Sequence, residues 1–254
     1  MDKGIGVSGI AGRMGRLVAE EVAAAGLTLA GGVDREPAEG RFADIAALAA
    51  ASDVVVDFSH ASAAASNARA VAAAGCAYVI GTTGLSAADE AVLAEAAARV
   101  PVVYAANFSP GVNLVLALAE RMAAALPAET YDAEILEMHH RQKVDAPSGT
   151  AIAMGRAVAR GRGHTLEGHM ESGRDGHTGA RGTGAIGFAA LRGGQVVGEH
   201  TLLFAAGTEH IALTHRAFDR RAFATGAVRA ARWAHGRKPG LYGMADVLGI
   251  APPA

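Results

Sequence analysis

Through the first hundred residues, short runs of β-branched and apolar positions alternate with alanine-rich stretches whose apolar positions recur at helical spacing. The strand-like runs fall at 4–8, 28–33, 53–58, 78–81 and 102–105, and the helical stretches at 12–25, 61–74 and 86–99. That alternation predicts βαβ units on a doubly wound parallel sheet. The run DVVVDF, apolar on both faces, fits a strand covered by helices on each side. After Pro110 the rhythm changes. A helix is expected over 111–126, stopped by Pro127, then a strand over 131–140 and a second helix opening near Ser148 and Gly149. Residues 161–184, rich in Gly, Arg and His, read as a long ordered loop. Residues 185–190, 195–204 and 209–214 read as strands joined by short turns, an arrangement that pairs antiparallel. The stretch 218–235 is helical again and is placed to return to the first unit. The expected fold class is therefore α/β: a Rossmann-like doubly wound parallel sheet from residues 1–109 and 220–254, with a second α+β domain over 110–219 built on a mostly antiparallel sheet. The two chain crossings, near 109–111 and 219–220, are expected to form a hinge.

Composition narrows the partners. The 254 residues carry 23 basic and 25 acidic side chains, a net charge of −2, and only 5% are aromatic. A nucleic-acid binder would want a basic face and stacking rings, so no nucleic acid is expected. There are 33 glycines, well above the usual share of about 7%, and they follow no G-X-Y period. The single cysteine, Cys76, permits no internal disulfide and suits a reducing cytosol, so a cytoplasmic location is expected. The amino-terminal run is broken by glycines and has no small-residue cleavage site, so no signal peptide is read. The longest uncharged run, 100–119, is interrupted by Pro101, Asn107 and Pro110, and no membrane span is expected.

In the segment GVSGIAGRMG, Gly9, Gly12 and Gly15 follow the first strand and open the first helix. The spacing GxxGxxG departs from GxGxxG but keeps its physics: a tight turn, backbone close to a pyrophosphate, and free N–H groups at a helix start. A dinucleotide site is expected, with a plain glycine turn as the alternative. Asp34, ending the second strand, can accept from ribose hydroxyls, as NADH sites prefer. Arg35 beside it can pair with a 2′-phosphate, unless it is only a solvated surface arginine. The expected cofactor is accordingly NADH or NADPH. GTTG and AANF follow the fourth and fifth strands, at the carboxyl ends where this kind of sheet binds ligands; ordinary strand-to-helix loops are the plainer reading there.

The densest polar stretch is EILEMHHRQKVDAPSGTA, where His139, His140, Arg141 and Lys143 crowd at a strand end. In an extended strand the two histidines point to opposite faces and should not share one role. Ser148, Gly149 and Thr150 open a helix whose N–H groups and hydroxyls suit a carboxylate. Cations plus a helix N-terminus describe a pocket for a small dianion. No metal is expected, because the histidine spacing matches no common zinc motif. A structural lysine–carboxylate cluster is the plainer alternative, and Ser148, lacking a nucleophile elbow, reads as a cap.

Taken together, these segments resemble the 4-hydroxy-tetrahydrodipicolinate reductase (dihydrodipicolinate reductase) family. GIAGRMG, DFS, GTTG, AANFSPGVN, EMHHRQKVDAPSGTA, GAIGFAALRGG, VVGEHT and LYGMADVLG follow the family's segments in order, over essentially the whole chain. The resemblance implies a homotetramer, a nucleotide domain completed by the C-terminal helix, and a cyclic imine dicarboxylate as substrate. Hydride from NADH or NADPH would go to C4 and a proton to C3, in lysine and diaminopimelate biosynthesis. By the same resemblance His139 is the proton donor, and Lys143 a second donor or substrate-binding cation. His140, Gly149 and Thr150 would hold substrate carboxylate. Gly9, Ile10, Ala11, Gly12, Arg13, Met14, Asp34, Gly81, Thr82, Thr83, Ala105, Ala106, Asn107 and Phe108 would contact the cofactor, with Arg220 at the hinge near it. The segment FSHASA departs from the family, where relatives often carry a proline, and leaves the contacts near His60 open. Two other readings stand beside this one. One is a different two-domain nicotinamide oxidoreductase, of which a semialdehyde enzyme would need Cys76 as nucleophile. The other is an NAD-binding redox sensor, which has no need of the HHRQK cluster.

Overall fold

The computed structural model describes residues 1–36 and 38–250. Its elements run β1 (Ile5–Ser8), α1 (Arg13–Ala24), β2 (Leu29–Val33), α2 (Ile45–Ala50), β3 (Val54–Asp57), α3 (Ala61–Ala73), β4 (Ala77–Ile80), α4 (Ala87–Ala97), β5 (Pro101–Tyr104), α5 (Pro110–Ala125), β6 (Asp132–His139), α6 (Gly149–Gly161), β7 (Met170–Ser172), β8 (Ile186–Arg192), β9 (Gly198–Ala205), β10 (His210–Ala217), α7 (Arg221–Ala234), β11 (Gly240–Tyr242) and α8 (Met244–Leu248). The described chain divides into two compact units, Met1–Pro110 with Arg220–Ile250, and Gly111–Asp219. Pro110 thus goes with the first unit rather than the second, and residues 251–254 of the expected first domain lie outside the described residues.

The first unit is built on a six-stranded sheet in the order β11-β5-β4-β3-β1-β2, with every pair parallel. The order reverses at β1, which has β2 on one side and β3 on the other. β1, β3 and β4 are buried along their whole length, as strands covered on both faces must be. One face packs Ile5, Val7, Val54, Val56 and Val79 against α1 and the alanines of α7. The other packs Val55, Tyr78, Ile80 and Val102 against α3 and α4. Ser86 and Asp89 form a capping box that starts α4. α2, β11 and α8 were not expected. The first has six residues and the others three and five, too few to display a period.

The second unit carries a five-stranded sheet, β10-β9-β6-β8-β7. β6–β9 and β9–β10 pair antiparallel, whereas β6–β8 and β7–β8 pair parallel. The sheet is therefore mixed, which corrects the expected mostly antiparallel one. The reason is that β8 and β9, though joined by a short turn, do not pair. They lie on opposite sides of β6, so the connection 193–197 passes across the C-terminal end of β6. β6, α6 and β8 form a βαβ unit, and β7 falls inside the stretch expected to be loop. Ala133, Ile135, Ile186, Phe188, Leu202 and Phe204 pack on Met154 and Val158 of α6 and Ala119 and Ala123 of α5. Burying each large apolar side chain of this kind contributes about 1.5–3 kcal/mol. Along β6 the inward positions are Ala133, Ile135, Glu137 and His139. The core face of that strand turns polar at its last two inward positions. Among the described residues, no helix is long and apolar enough to cross a membrane.

Candidate active site

A cleft of about 710 Å³ opens beyond β1 and β3, where the strand order reverses and sheets of this kind bind ligands. Gly9 turns there with φ of 76°, and its N–H donates to the Val33 carbonyl at 2.9 Å. Gly12 caps α1 with no side chain on the first-turn N–H groups. Gly15 lies so close to the turn that a Cβ would sit 2.1 Å from the Gly9 oxygen. The three glycines thus serve as turn, open approach and helix-to-loop contact. An uncapped helix start with a bare backbone in front of it fits a pyrophosphate. Asp34 Oδ2 accepts the Ala11 N–H at 2.8 Å and Oδ1 that of Arg35 at 2.8 Å. The carboxylate therefore braces the glycine loop as well as lining the cleft, with Arg35 exposed beside it. Ile10 and Met14 turn inward against the core, and Arg13 is exposed at the helix start.

The facing wall comes from Phe58, Ser59, His60, Ser62 and Asn67. His60, where the sequence departs from the family, caps α3: its Nδ1 accepts the Ser62 N–H at 3.3 Å. Beneath it, buried Asp57 accepts from Tyr78 Oη (2.5 Å), Asn67 Nδ2 (2.8 Å) and the Ser59 N–H (2.8 Å). Burial and that carboxylate push the Tyr78 phenol well above its ordinary range. Gly81 faces the Phe58 ring, which a Cβ would meet at 2.2 Å. Thr82 is buried and donates to the Ser59 carbonyl at 3.3 Å, while Thr83 is exposed. In the loop after β5, Ala106 is exposed, Ala105 and Asn107 are half-buried, and Asn107 Oδ1 accepts the Ser109 N–H at 2.9 Å. The Phe108 ring is buried edge-on to Phe58 at 5.8 Å, so it supports the loop from within the core rather than lining the cleft. Arg220 is half-buried at the start of α7 and makes no side-chain cap bond.

The polar cluster belongs to the second unit. His139 ends β6 at 8% exposure, and Glu137, two positions earlier on the same face, is 1% exposed. His139 Nδ1 and Glu137 Oε2 are 2.5 Å apart. Arg192, the register partner of His139 on β8, clamps Glu137 with both terminal nitrogens at 2.9 Å. It also donates to the Asp145 carbonyl at 2.7 Å. His200, opposite Glu137 on β9, meets the His139 ring edge-to-face at 5.0 Å. Its Nε2 lies 2.9 Å from Ser148 Oγ, which accepts the Ala151 N–H and caps α6. Burial, helped by the neighbouring His139, lowers His200 to about 4, so it is neutral near pH 7. Burial also draws His139 below the ordinary imidazole range, with Glu137 opposing. For Glu137, burial pushes upward, but the bonds from Arg192 and His139 outweigh it and hold the carboxyl low. Lys143 Nζ donates to both Asp145 oxygens, at 2.7 and 2.9 Å. His140 lies just past the strand, its Nδ1 buried without a partner. Gly149 and Thr150 form the first turn of α6, with open space at Gly149.

The structure thus gathers Gly9, Ala11, Gly12, Asp34 and Arg35 around one cleft, and His139, His140, Lys143, Gly149 and Thr150 around the end of β6. Sequence reasoning missed Ser59 and Asn67 in the first place and Glu137, Arg192 and His200 in the second. Glu137 carried a signal, its two-residue spacing from His139. Arg192 and His200 carried none, because only the sheet order brings them there. Among the described residues, no group of three or more His, Cys, Asp or Glu could hold a metal ion.

A glycine loop of the dinucleotide type on a parallel sheet, followed in the same chain by a mixed-sheet unit with an ionised polar cluster, defines a two-domain oxidoreductase of the Rossmann class. Residues 3–108 match the family model described as dihydrodipicolinate reductase, N-terminus, and residues 111–248 the one described as dihydrodipicolinate reductase, C-terminus. The chain belongs to the dihydrodipicolinate reductase family. It is 65% identical over 253 residues to the 4-hydroxy-tetrahydrodipicolinate reductase of Granulibacter bethesdensis, covering 97% of each chain. The enzyme of that name from Acidiphilium cryptum is 63% identical, covering 98% of each. The solved structure of dipicolinate-bound dihydrodipicolinate reductase from Paenisporosarcina sp. TG-14 shares the fold, with a TM-score of 0.78 at 22% identity over 97% of this chain and 98% of that one. The redox-sensor reading gives way to an enzyme. So does the semialdehyde-type reading: Cys76 is buried, and burial pushes its thiol up to about 12.

Proposed function

We propose that the chain catalyses the NADH- or NADPH-dependent reduction of 4-hydroxy-tetrahydrodipicolinate to tetrahydrodipicolinate, with His139 as proton donor. The single observation that carries this is the end of β6, where a buried histidine bonded to a clamped carboxylate stands with Lys143 and the α6 N-terminus. The 4-hydroxy substrate loses its C4 hydroxyl as water to give the conjugated imine, and the nucleotide, when bound, supplies the hydride for C4 of that imine. The chain's own residues do the rest. Gly9, Gly12 and the start of α1 receive the pyrophosphate, and Asp34 and Arg35 face the adenosine ribose. Gly149, Thr150 and His140 hold substrate carboxylate, and the Lys143 ammonium, carried on a loop residue paired with Asp145, exchanges that partner for substrate. His139 delivers a proton to C3, the general-acid role that a protonated imidazole can fill. The dipicolinate of the Paenisporosarcina enzyme, a planar dicarboxylate, is the ligand chemistry this cluster suits. The active form is a homotetramer; Leu136 and Leu191, 44% and 49% exposed on the second sheet, supply apolar surface for such an assembly. Steady-state kinetics of His139→Gln test the assignment. The expected loss in kcat is about 10²–10⁴-fold with nucleotide affinity unchanged. A loss of only a few-fold removes His139 from the role.

A further inference from the structure

We infer that Glu137 is the positioning residue for His139: it fixes the imidazole with a proton on Nδ1 and leaves Nε2 to carry the proton that is transferred. The inference rests on the reading of His139 as proton donor. Its ground is the saturation of one carboxylate. Oε1 accepts from Arg192 Nη2 at 2.9 Å and from the Ser148 N–H at 3.2 Å. Oε2 accepts from Arg192 Nη1 at 2.9 Å and meets His139 Nδ1 at 2.5 Å. A guanidinium and a backbone amide have only donors, and an ionised carboxylate only acceptors. The one arrangement that satisfies all four contacts is a carboxylate receiving a proton from Nδ1. Nε2 is then the nitrogen free to gain and give a proton.

The surroundings of Nε2 agree. It faces Gly198, where a Cβ would stand 3.0 Å away, so the glycine keeps that nitrogen uncovered. Arg192 faces the ring from β8, His200 from β9, Lys143 from the following loop and Glu137 from the same strand. Burial disfavours an imidazolium most, Lys143 and Arg192 add to the cost, and His200 is neutral. Of these groups, Glu137 is the one that favours the protonated ring. In the transfer, the Nε2–H bond breaks as the C3–H bond forms. The ring returns to its neutral Nδ1–H form and is reprotonated at Nε2 from water. Arg192 holds Glu137 and also the Asp145 carbonyl, so one guanidinium ties this pair to the loop that carries Lys143.

The test begins with the unaltered enzyme. Nitrogen NMR of protein labelled at histidine, with the His139 signal assigned by its loss in His139→Gln, should show the neutral ring protonated at Nδ1. An Nε2–H ring overturns the inference. Glu137→Gln should lower kcat at least about tenfold while KM for the dicarboxylate changes less than about threefold. Without the carboxylate charge the imidazolium gives up its proton more readily, so the fall of kcat at high pH should move to lower pH. A purely structural role would lower kcat and leave that profile in place. Added to His139→Gln, Glu137→Gln should cost less than about threefold more, because it acts through the missing ring. An unmoved profile or fully additive losses overturn the inference while leaving His139 as donor. Retention of kcat in His139→Gln instead overturns the donor reading itself.

Discussion

Replacing Gly15 with alanine adds one methyl carbon where no side chain can move aside. Its ideal position lies 2.1 Å from the Gly9 oxygen and 2.7 Å from both the Gly9 carbonyl carbon and Ile10 Cα, all of them backbone atoms. Ordinary contact begins at 3.4 Å, so the start of α1 must back away from the turn by roughly 1 Å. Overpacking of this kind costs about 1–3 kcal/mol, and each kcal/mol lowers Tm by about 2–4 °C in a chain of this size. The same retreat carries the first-turn N–H groups away from the pyrophosphate. Nucleotide affinity should fall at least tenfold, about 1.4 kcal/mol. Gly12→Ala separates the two effects. There a Cβ meets only the Gly9 oxygen, at 3.1 Å, and φ of −70° suits alanine. Tm should hold near that of the parent, while the methyl crowds the open side of the loop and affinity falls. Calorimetric titration with NADH beside thermal unfolding reads both variants. Gly15→Ala binding NADH within about twofold of the parent would show that this loop does not receive the nucleotide.

His200 should leave a mark on acid stability. Burial lowers it to about 4 from an ordinary 6.5, so the unfolded chain binds one more proton between those values and stability declines as pH falls across that window, by about 3 kcal/mol from this residue. His200→Asn should flatten that part of the denaturant-unfolding slope; a slope equal to the parent's counts against it. Asp34 and Arg35 serve opposite ribose chemistries, so kcat/KM for NADH and NADPH should differ by less than about 10³-fold, or 4 kcal/mol. Arg35→Ala should shift the ratio towards NADH by about tenfold, and an unmoved ratio would mean that Arg35 is only solvated surface.

The parts of this molecule legible in the sequence are those written in neighbouring residues. Gly9, Gly12 and Gly15 announce a loop because the turn, the approach and the helix contact all fall within seven positions. Ser148 announces a helix start because its hydroxyl caps an amide three residues on. The mixed sheet is different. The short turn after Arg192 suggests a hairpin, yet β6 comes between its two strands, a pairing decided by α6 and by packing far from the turn. For the same reason the partners of Glu137 were hidden: Arg192 is 55 residues away and His200 is reached only through strand register. The Phe108 ring reads as a loop side chain in AANF, but a glycine at 226, where a Cβ would stand 1.7 Å from the Phe108 oxygen, lets α7 press that loop into the core.

The return of α7 and α8 to the first sheet has a consequence for the order in which the protein is made. Ala224, Ala227, Ala230, Ala231, Ala234, Met244 and Val247 cover the face that displays Ile5, Val7, Val54, Val56, Val79 and Val103. A ribosome delivers the four strands that display these residues, and α1 over part of them, long before α7 and α8. The segment Gly111–Asp219 emerges between the two with a core of its own, so it can settle first while the part of that face that α7 and α8 will cover stays bare. Nascent chains halted before residue 221 should therefore be the aggregation-prone species, held by chaperones at the sheet rather than at the segment that follows it.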